Sequence, residues 1–171
     1  AATISKSQHF APNHILNATI LTNLGNCHNS LQQFDAAITY YQKGIDIQNK
    51  TYTNHTTPPT ILFDNYCNLA NCFATQQKYD TAFHYFEIAK KGYYEIFGDK
   101  HPKLAEVLNR CGNTHLQKGA EKEAINHFHK SLQVLLPDFQ AENIYQYPPV
   151  QTDYFSKKLL FAINRKALSF Y

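Results

Sequence analysis

The stretch Asn23–Asp35, NLGNCHNSLQQFD, returns as Asn68–Asp80, NLANCFATQQKYD, 45 residues later. Six of the thirteen positions are identical, and Gly25/Ala70 and Phe34/Tyr79 keep size and character. A weaker third copy starts 42 residues further on, at Arg110-Cys111-Gly112-Asn113. Self-similarity at a spacing of this length points to stacked repeats, because one such unit cannot bury its apolar face alone. The periodicity says what the unit is. Leu21, Leu24, His28 and Leu31 fall on one helical face at i, i+3, i+7 and i+10. The pattern breaks at Gln32-Gln33 and resumes as Phe34, Ala37, Ile38, Tyr41 and Ile45. Two amphipathic helices joined by so few residues lie antiparallel, as an αα-hairpin.

The same reading applies twice more. Residues 59–97 place Leu62, Tyr66, Leu69 and Phe73 on a first helix, then Tyr79, Ala82, Phe83, Phe86, Ala89, Tyr93 and Phe97 on a second. Residues 102–136 use Leu104, Leu108, Cys111 and His115, then Ala124, Ile125, Phe128, Leu132 and Leu135. The expected fold class is therefore all-α. Its organisation reads as a loose lead-in over 1–13, hairpins over 14–50, 59–97 and 102–136, a connector over 137–150 and an amphipathic helix over 151–171. The Thr- and Pro-rich stretch Thr51–Thr60 accounts for the longer first spacing and sets Pro59 near a helix start. In Gly98–Pro102, Gly98 is expected to close one helix, Asp99 to cap the next and Pro102 to enter its first turn. The last helix carries Phe155, Leu159, Ala162, Ile163, Ala167 and Phe170 on one side, as a cover for the open face of the third hairpin would.

Charge and motifs narrow the function. A net charge of +3 with scattered Lys and Arg lacks the basic footprint of a nucleic-acid binder, so no nucleic-acid partner is expected. No run of about 18 apolar residues is present, so no membrane partner is expected, and no charged-then-apolar leader opens the chain. The absence of Met suggests a piece of a longer protein, with a processed chain as the alternative. Cys27, Cys67, Cys72 and Cys111 lack the CxxC or Cys/His spacing of a zinc site. They read as small buried hydrophobes in a reducing, cytoplasmic setting. None of HExxH, GxSxG, GxGxxG or GxxxxGK occurs. His28 and His115 take aromatic packing positions, and His127 and His129 point to different faces of one helix. Catalytic residues, metal ligands and cofactors are therefore not expected within these residues.

At this point the hairpins resemble tetratricopeptide (TPR) repeats. The first carries Leu24, Gly25, His28, Phe34, Ala37, Tyr41 and Gly44 at the positions of that pattern. The second carries Leu69, Ala70, Phe73, Tyr79, Ala82, Phe86 and Ala89. The third, with Cys111, Gly112, His115, Gly119, Ala124, Phe128 and Ser131, departs furthest, having Cys111 for Leu and Glu121 where an aromatic is usual. The long spacing and the linker Gly98–Pro102 are similar to kinesin-light-chain repeats. A weaker resemblance links the stretch Asp138–Tyr171 to bacterial proteins that join such repeats to a caspase-like CHAT peptidase domain. The first resemblance implies a right-handed superhelical array whose first helices line a concave groove. The second implies a regulatory segment of a larger enzyme.

On that groove the residues of interest are Asn26, Asn71 and Asn113, with Asn23, Asn68 and Arg110 one turn back. Amides offer donors and an acceptor to the backbone of an extended peptide, and Arg110 offers a fork to a carboxylate. In TPR domains that clamp chaperone C-termini, Asn26, Asn68 and Arg110 match three of five clamp positions. Thr22 and Glu106 stand where the clamp has lysines, which argues against an acidic chaperone tail. The same amides are also suited to bonding one another between adjacent hairpins. The expected partner is a protein or peptide, or another domain of the same longer chain.

Overall fold

In a computed structural model, residues 15–52 and 60–136 are described. They form α1 (Ile15–Ser30), α2 (Phe34–Thr51), α3 (Thr60–Thr75), α4 (Tyr79–Phe97), α5 (Pro102–Lys118) and α6 (Glu121–Leu135). The expected lead-in over 1–13, Pro59, the connector over 137–150 and the helix over 151–171 lie outside the described residues. Each odd-numbered helix packs on the helix that follows it, and each hairpin packs on the next through α2 with α3 and α4 with α5. The first helices also touch one another, α1 with α3 and α3 with α5, with no comparable contact joining α2 to α4 or α4 to α6. The array is therefore an all-α stack of three hairpins with the first helices gathered on one side.

An aromatic ring at one repeated position fills each hairpin. Tyr41, Phe86 and Phe128 stand sixteen residues after Gly25, Ala70 and Gly112, and all three rings are fully buried. The small residue is a steric requirement. A Cβ on Gly25 would lie 2.5 Å from the Tyr41 ring, and one on Gly112 would lie 2.4 Å from that of Phe128. Burying a ring of this size contributes about 2–3 kcal/mol, and only a close helix crossing lets it span the hairpin.

The three hairpin turns share one hydrogen-bond scheme. Gln33 N–H donates to His28 O at 2.9 Å and Gln32 N–H to Asn29 O at 3.0 Å. Lys78 and Gln77 repeat the pair against Phe73 and Ala74, and Ala120 and Gly119 repeat it against His115 and Leu116. These are Schellman closures, which require a left-handed residue just past the helix. Gly119 adopts φ 78° without a steric penalty, but Gln32 (φ 59°) and Gln77 (φ 61°) carry a Cβ there.

Three expectations are corrected by the packing. Leu24 and Leu31 do not face the core: they are 39% and 66% exposed. Ala18, Thr22 and Gly25 take the buried side of α1, because α2 crosses close enough to admit only small side chains. Asp99 does not cap α5. His101 does, accepting from Lys103 N–H through Nδ1 at 3.2 Å, with its ring stacked 3.8 Å from Phe97. The thiols divide, with Cys67, Cys72 and Cys111 buried and Cys27 exposed. Burial pushes the Cys67 and Cys111 thiols up to about 12 and Cys72 to about 11, so none is a ready nucleophile. Among the described residues no helix is long and apolar enough to cross a membrane.

Candidate peptide-binding groove

The helices gathered on the inner side, α1, α3 and α5, carry all six groove residues expected from the sequence. Three of them form one row. Asn26 Oδ1 accepts from Tyr41 Oη at 2.8 Å and from Asn68 Nδ2 at 3.2 Å. Asn68 Oδ1 accepts in turn from Arg110 Nη1 at 3.4 Å, the loosest joint of the row. Arg110 Nη2 then donates to Glu106 Oε1 at 2.8 Å, four residues back on α5. The row crosses all three hairpins.

The other three amides stand outside it. Asn23 is exposed and Asn71 half-buried, and neither side chain has a hydrogen-bond partner among the described residues. Asn113 Oδ1 is buried with no partner. The repeat equates Asn23 with Asn68, but the hydrogen bond joins Asn68 to Asn26, one helical turn further along α1. Two other cross-hairpin bonds are shifted in the same direction, by two residues rather than three: Asn65 Nδ2 to Thr22 Oγ1 at 2.9 Å and Cys72 Sγ to Asn29 Oδ1 at 3.4 Å, each 43 residues apart. The second hairpin is thus displaced along the first by about one turn.

Charge on this face is matched internally. Lys103 Nζ pairs with Asp64 and lies 3.9 Å from Glu106, while Arg110 holds Glu106 on its other side. Tyr93 Oη donates to Asp64 at 2.6 Å. Burial, reinforced by the neighbouring Cys67 and Asp64, pushes the Tyr93 phenol up. Burial likewise pushes Tyr41 up to about 12, so both phenols remain donors at ordinary pH. At the two clamp positions that differ, Thr22 is buried and donates to Ala18 O at 2.9 Å, and Glu106 is engaged by Arg110. Asp64, Lys103 and the hydrogen-bonding roles of Tyr93 and Tyr41 were missed by the sequence reading. The i, i+3, i+7 spacing of Lys103, Glu106 and Arg110 on one helix was the available signal.

The tetratricopeptide repeat family matches residues 62–136 and, in a separate match, residues 18–50. Among solved structures, the chain is similar to BtubC (BKLC) from P. vanneervenii, with a TM-score of 0.73 and 16% identity over 99% of this chain. It spans 59% of the length of that protein. It is similar as well to the N-terminal domain of stress-induced protein-1 (STI-1) from C. elegans, with a TM-score of 0.55 and 21% identity, covering 76% of this chain and 90% of that one. At these identities the likeness is one of fold. No curated protein matches the sequence.

Proposed function

The chain belongs to the tetratricopeptide repeat family, whose repeats are protein–protein interaction modules, and on that premise we propose that its inner face captures an extended peptide segment of a protein partner. The observation that carries this reading is the Asn26–Asn68–Arg110 row, flanked by the unpartnered amides of Asn23 and Asn71. Each asparagine side chain presents two donors and an acceptor, the complement of the N–H and C=O groups of an extended main chain. The row holds its members in place before a ligand arrives, which limits the ordering cost of capture.

The ligand is read through its backbone rather than its charge. Lys103 and Arg110 already face Asp64 and Glu106, so among the described residues these two cations of the inner face are not free for an acidic tail. Weak dependence on salt follows. The segment belongs either to another protein or to another domain of a longer chain that includes this one.

Selection of displayed peptides on the wild-type protein, followed by affinity measurement on the Asn23→Ala/Asn71→Ala variant, tests the reading. Peptides that bind the wild type should bind the variant at least about tenfold more weakly, or ~1.4 kcal/mol, with an unchanged helical melt. Equal affinity for both proteins, or no enriched peptide at all, would sink it.

A further inference from the structure

On the side of α5 away from the groove lies an open cavity of ≈ 540 Å³, within the ordinary size of a ligand pocket. Leu104 and Leu108 of α5, with Val134 of α6, give it an apolar floor. Three lysines stand around that floor from three separate elements: Lys90 on α4, Lys100 in the 98–101 turn and Lys130 on α6. Asp99 is the one carboxylate lining it among the described residues, and Tyr94 adds a ring that is 57% exposed. The lysines differ in availability. Lys90 is paired with Glu87 at 2.5 Å, whereas Lys100 and Lys130 are exposed and have no ion-pair partner among the described residues.

We propose that this cavity is a second binding site, separate from the groove, for an acidic peptide segment bearing an apolar side chain. Two features select that chemistry. Ammonium groups are compact point charges without the planar fork of arginine, so they attract anions without dictating a bidentate geometry. Their origin on three elements spreads positive charge around the rim instead of focusing it on one phosphate-sized spot. Carboxylates spaced along a peptide satisfy Lys100 and Lys130 together, while an aromatic or aliphatic side chain between them covers Leu104, Leu108 and Val134 and lies beside Tyr94. His127, whose Nδ1 is buried without a partner, closes one wall. Burial first, then His115, Lys130 and Lys90, hold its imidazole down near 4, with Glu87 opposing, so it supplies no charge at neutral pH and the lysines alone provide the attraction.

The probe is a fluorescein-labelled hexapeptide with three glutamates and two aromatic residues, compared with the same peptide carrying glutamine for glutamate. Fluorescence anisotropy at low and at physiological salt is the readout. The acidic peptide should bind, weaken as salt rises, and bind the Lys100→Glu/Lys130→Glu variant at least about tenfold more weakly. Both lysines are exposed, so the helical melt of that variant should match the wild type. Asn23→Ala/Asn71→Ala, which alters the groove alone, should leave the affinity unchanged, so this site and the groove stand or fall separately. Absence of binding, equal binding of the glutamine peptide, or indifference to the lysine reversals would overturn the site. Displacement by inorganic phosphate at equal concentration would overturn the assignment to a peptide.

Discussion

The two junctions between hairpins use one geometry and opposite chemistries. Where the second hairpin meets the first, Asn65 is fully buried and donates to Thr22 Oγ1 at 2.9 Å and to Gln48 Oε1 at 3.1 Å. Where the third meets the second, the residue 42 positions later is Val107, 1% exposed, and the polar contacts move to the rim as Lys103 with Asp64 and Arg110 with Asn68. The first junction is not fully satisfied, since Gln48 Nε2 and Asn65 Oδ1 are buried without partners. Each such atom gives up part of its hydration for nothing. The polar junction therefore trades cohesion for register: sliding α3 along α1 and α2 breaks two bonds from one amide, whereas sliding past a valine breaks none. Both junctions join hairpins that each bury an aromatic ring of their own, Tyr41, Phe86 and Phe128.

Four measurements bear on that contrast. The largest effect is expected from Val107→Asn, which buries an amide where no partner waits and should cost about 3 kcal/mol in a denaturant titration. A loss below about 1 kcal/mol would mean that the second junction accepts an amide as readily as the first. Asn65→Ala comes next, at about 2 kcal/mol, because it strands the Gln48 amide entirely. Removing the whole polar pair with Asn65→Val and Gln48→Leu should cost less than that single change, since replacing both partners by apolar groups leaves nothing unpaired. A larger loss from the double variant would show that the amide supplies cohesion as well as register.

The third measurement is a pH titration of stability on the third hairpin. His115 stacks on Phe83 at 4.2 Å and on His127 at 5.0 Å, and both imidazoles bury an unpartnered Nδ1. Burial lowers the affinity of His115 for a proton, with Lys118 acting the same way and Glu123 opposing. His127 is held near 4 by burial, His115, Lys130 and Lys90. A folded-state value below the unfolded one means that the unfolded chain takes up the proton first. Stability is thus complete above about pH 6.5 and is lost as pH falls toward 4. With water still reaching the His127 ring, the loss should be about 1 kcal/mol. Hydrogen exchange at pH 5 should show it in α5 and α6 and not in α1 and α2, and uniform loosening would contradict the assignment.

The smallest effect is expected at the turns, which lie outside both junctions. Gln32→Gly and Gln77→Gly each relieve a left-handed Cβ and should raise stability by up to about 1 kcal/mol, offset in part by the greater freedom of the unfolded chain. Gly119→Ala should lower it by a similar amount. Thermal melts that ranked these three the other way would remove the turn from the account.

Sequence periodicity made the hairpins legible because the pairing inside a hairpin is local: Gly25 and Tyr41, or Gly112 and Phe128, are separated by a fixed loop and must meet. The choice of face on α1 was not legible in the same way. Leu24 and Leu31 satisfy an apolar helical period as well as Ala18 and Gly25 do, and only the closeness of the α2 crossing decides between them. The groove shows the same division. The recurrence of Asn23, Asn26, Asn68, Asn71, Arg110 and Asn113 marks them as candidates, but which amide bonds which depends on how far one hairpin slides along the next. That slide is set by packing between distant side chains, with Asn65 among them, and leaves no mark at any single position. His101 escaped notice for a related reason: its ring serves as a cap only because Phe97, across the turn, holds it in place.

The inner row also has a mechanical meaning. Asn26, Asn68, Arg110 and Glu106 run along the side where the first helices approach one another, as a chord runs along the inside of an arc. Motion that opens the arc lengthens the chord, and the Arg110–Asn68 link at 3.4 Å is the joint that parts first. On the proposed reading, a peptide lying across the row would splint that joint. Capture and curvature would then be one degree of freedom, and a partner that stiffened the inner face would set the spacing of everything mounted on the outer one.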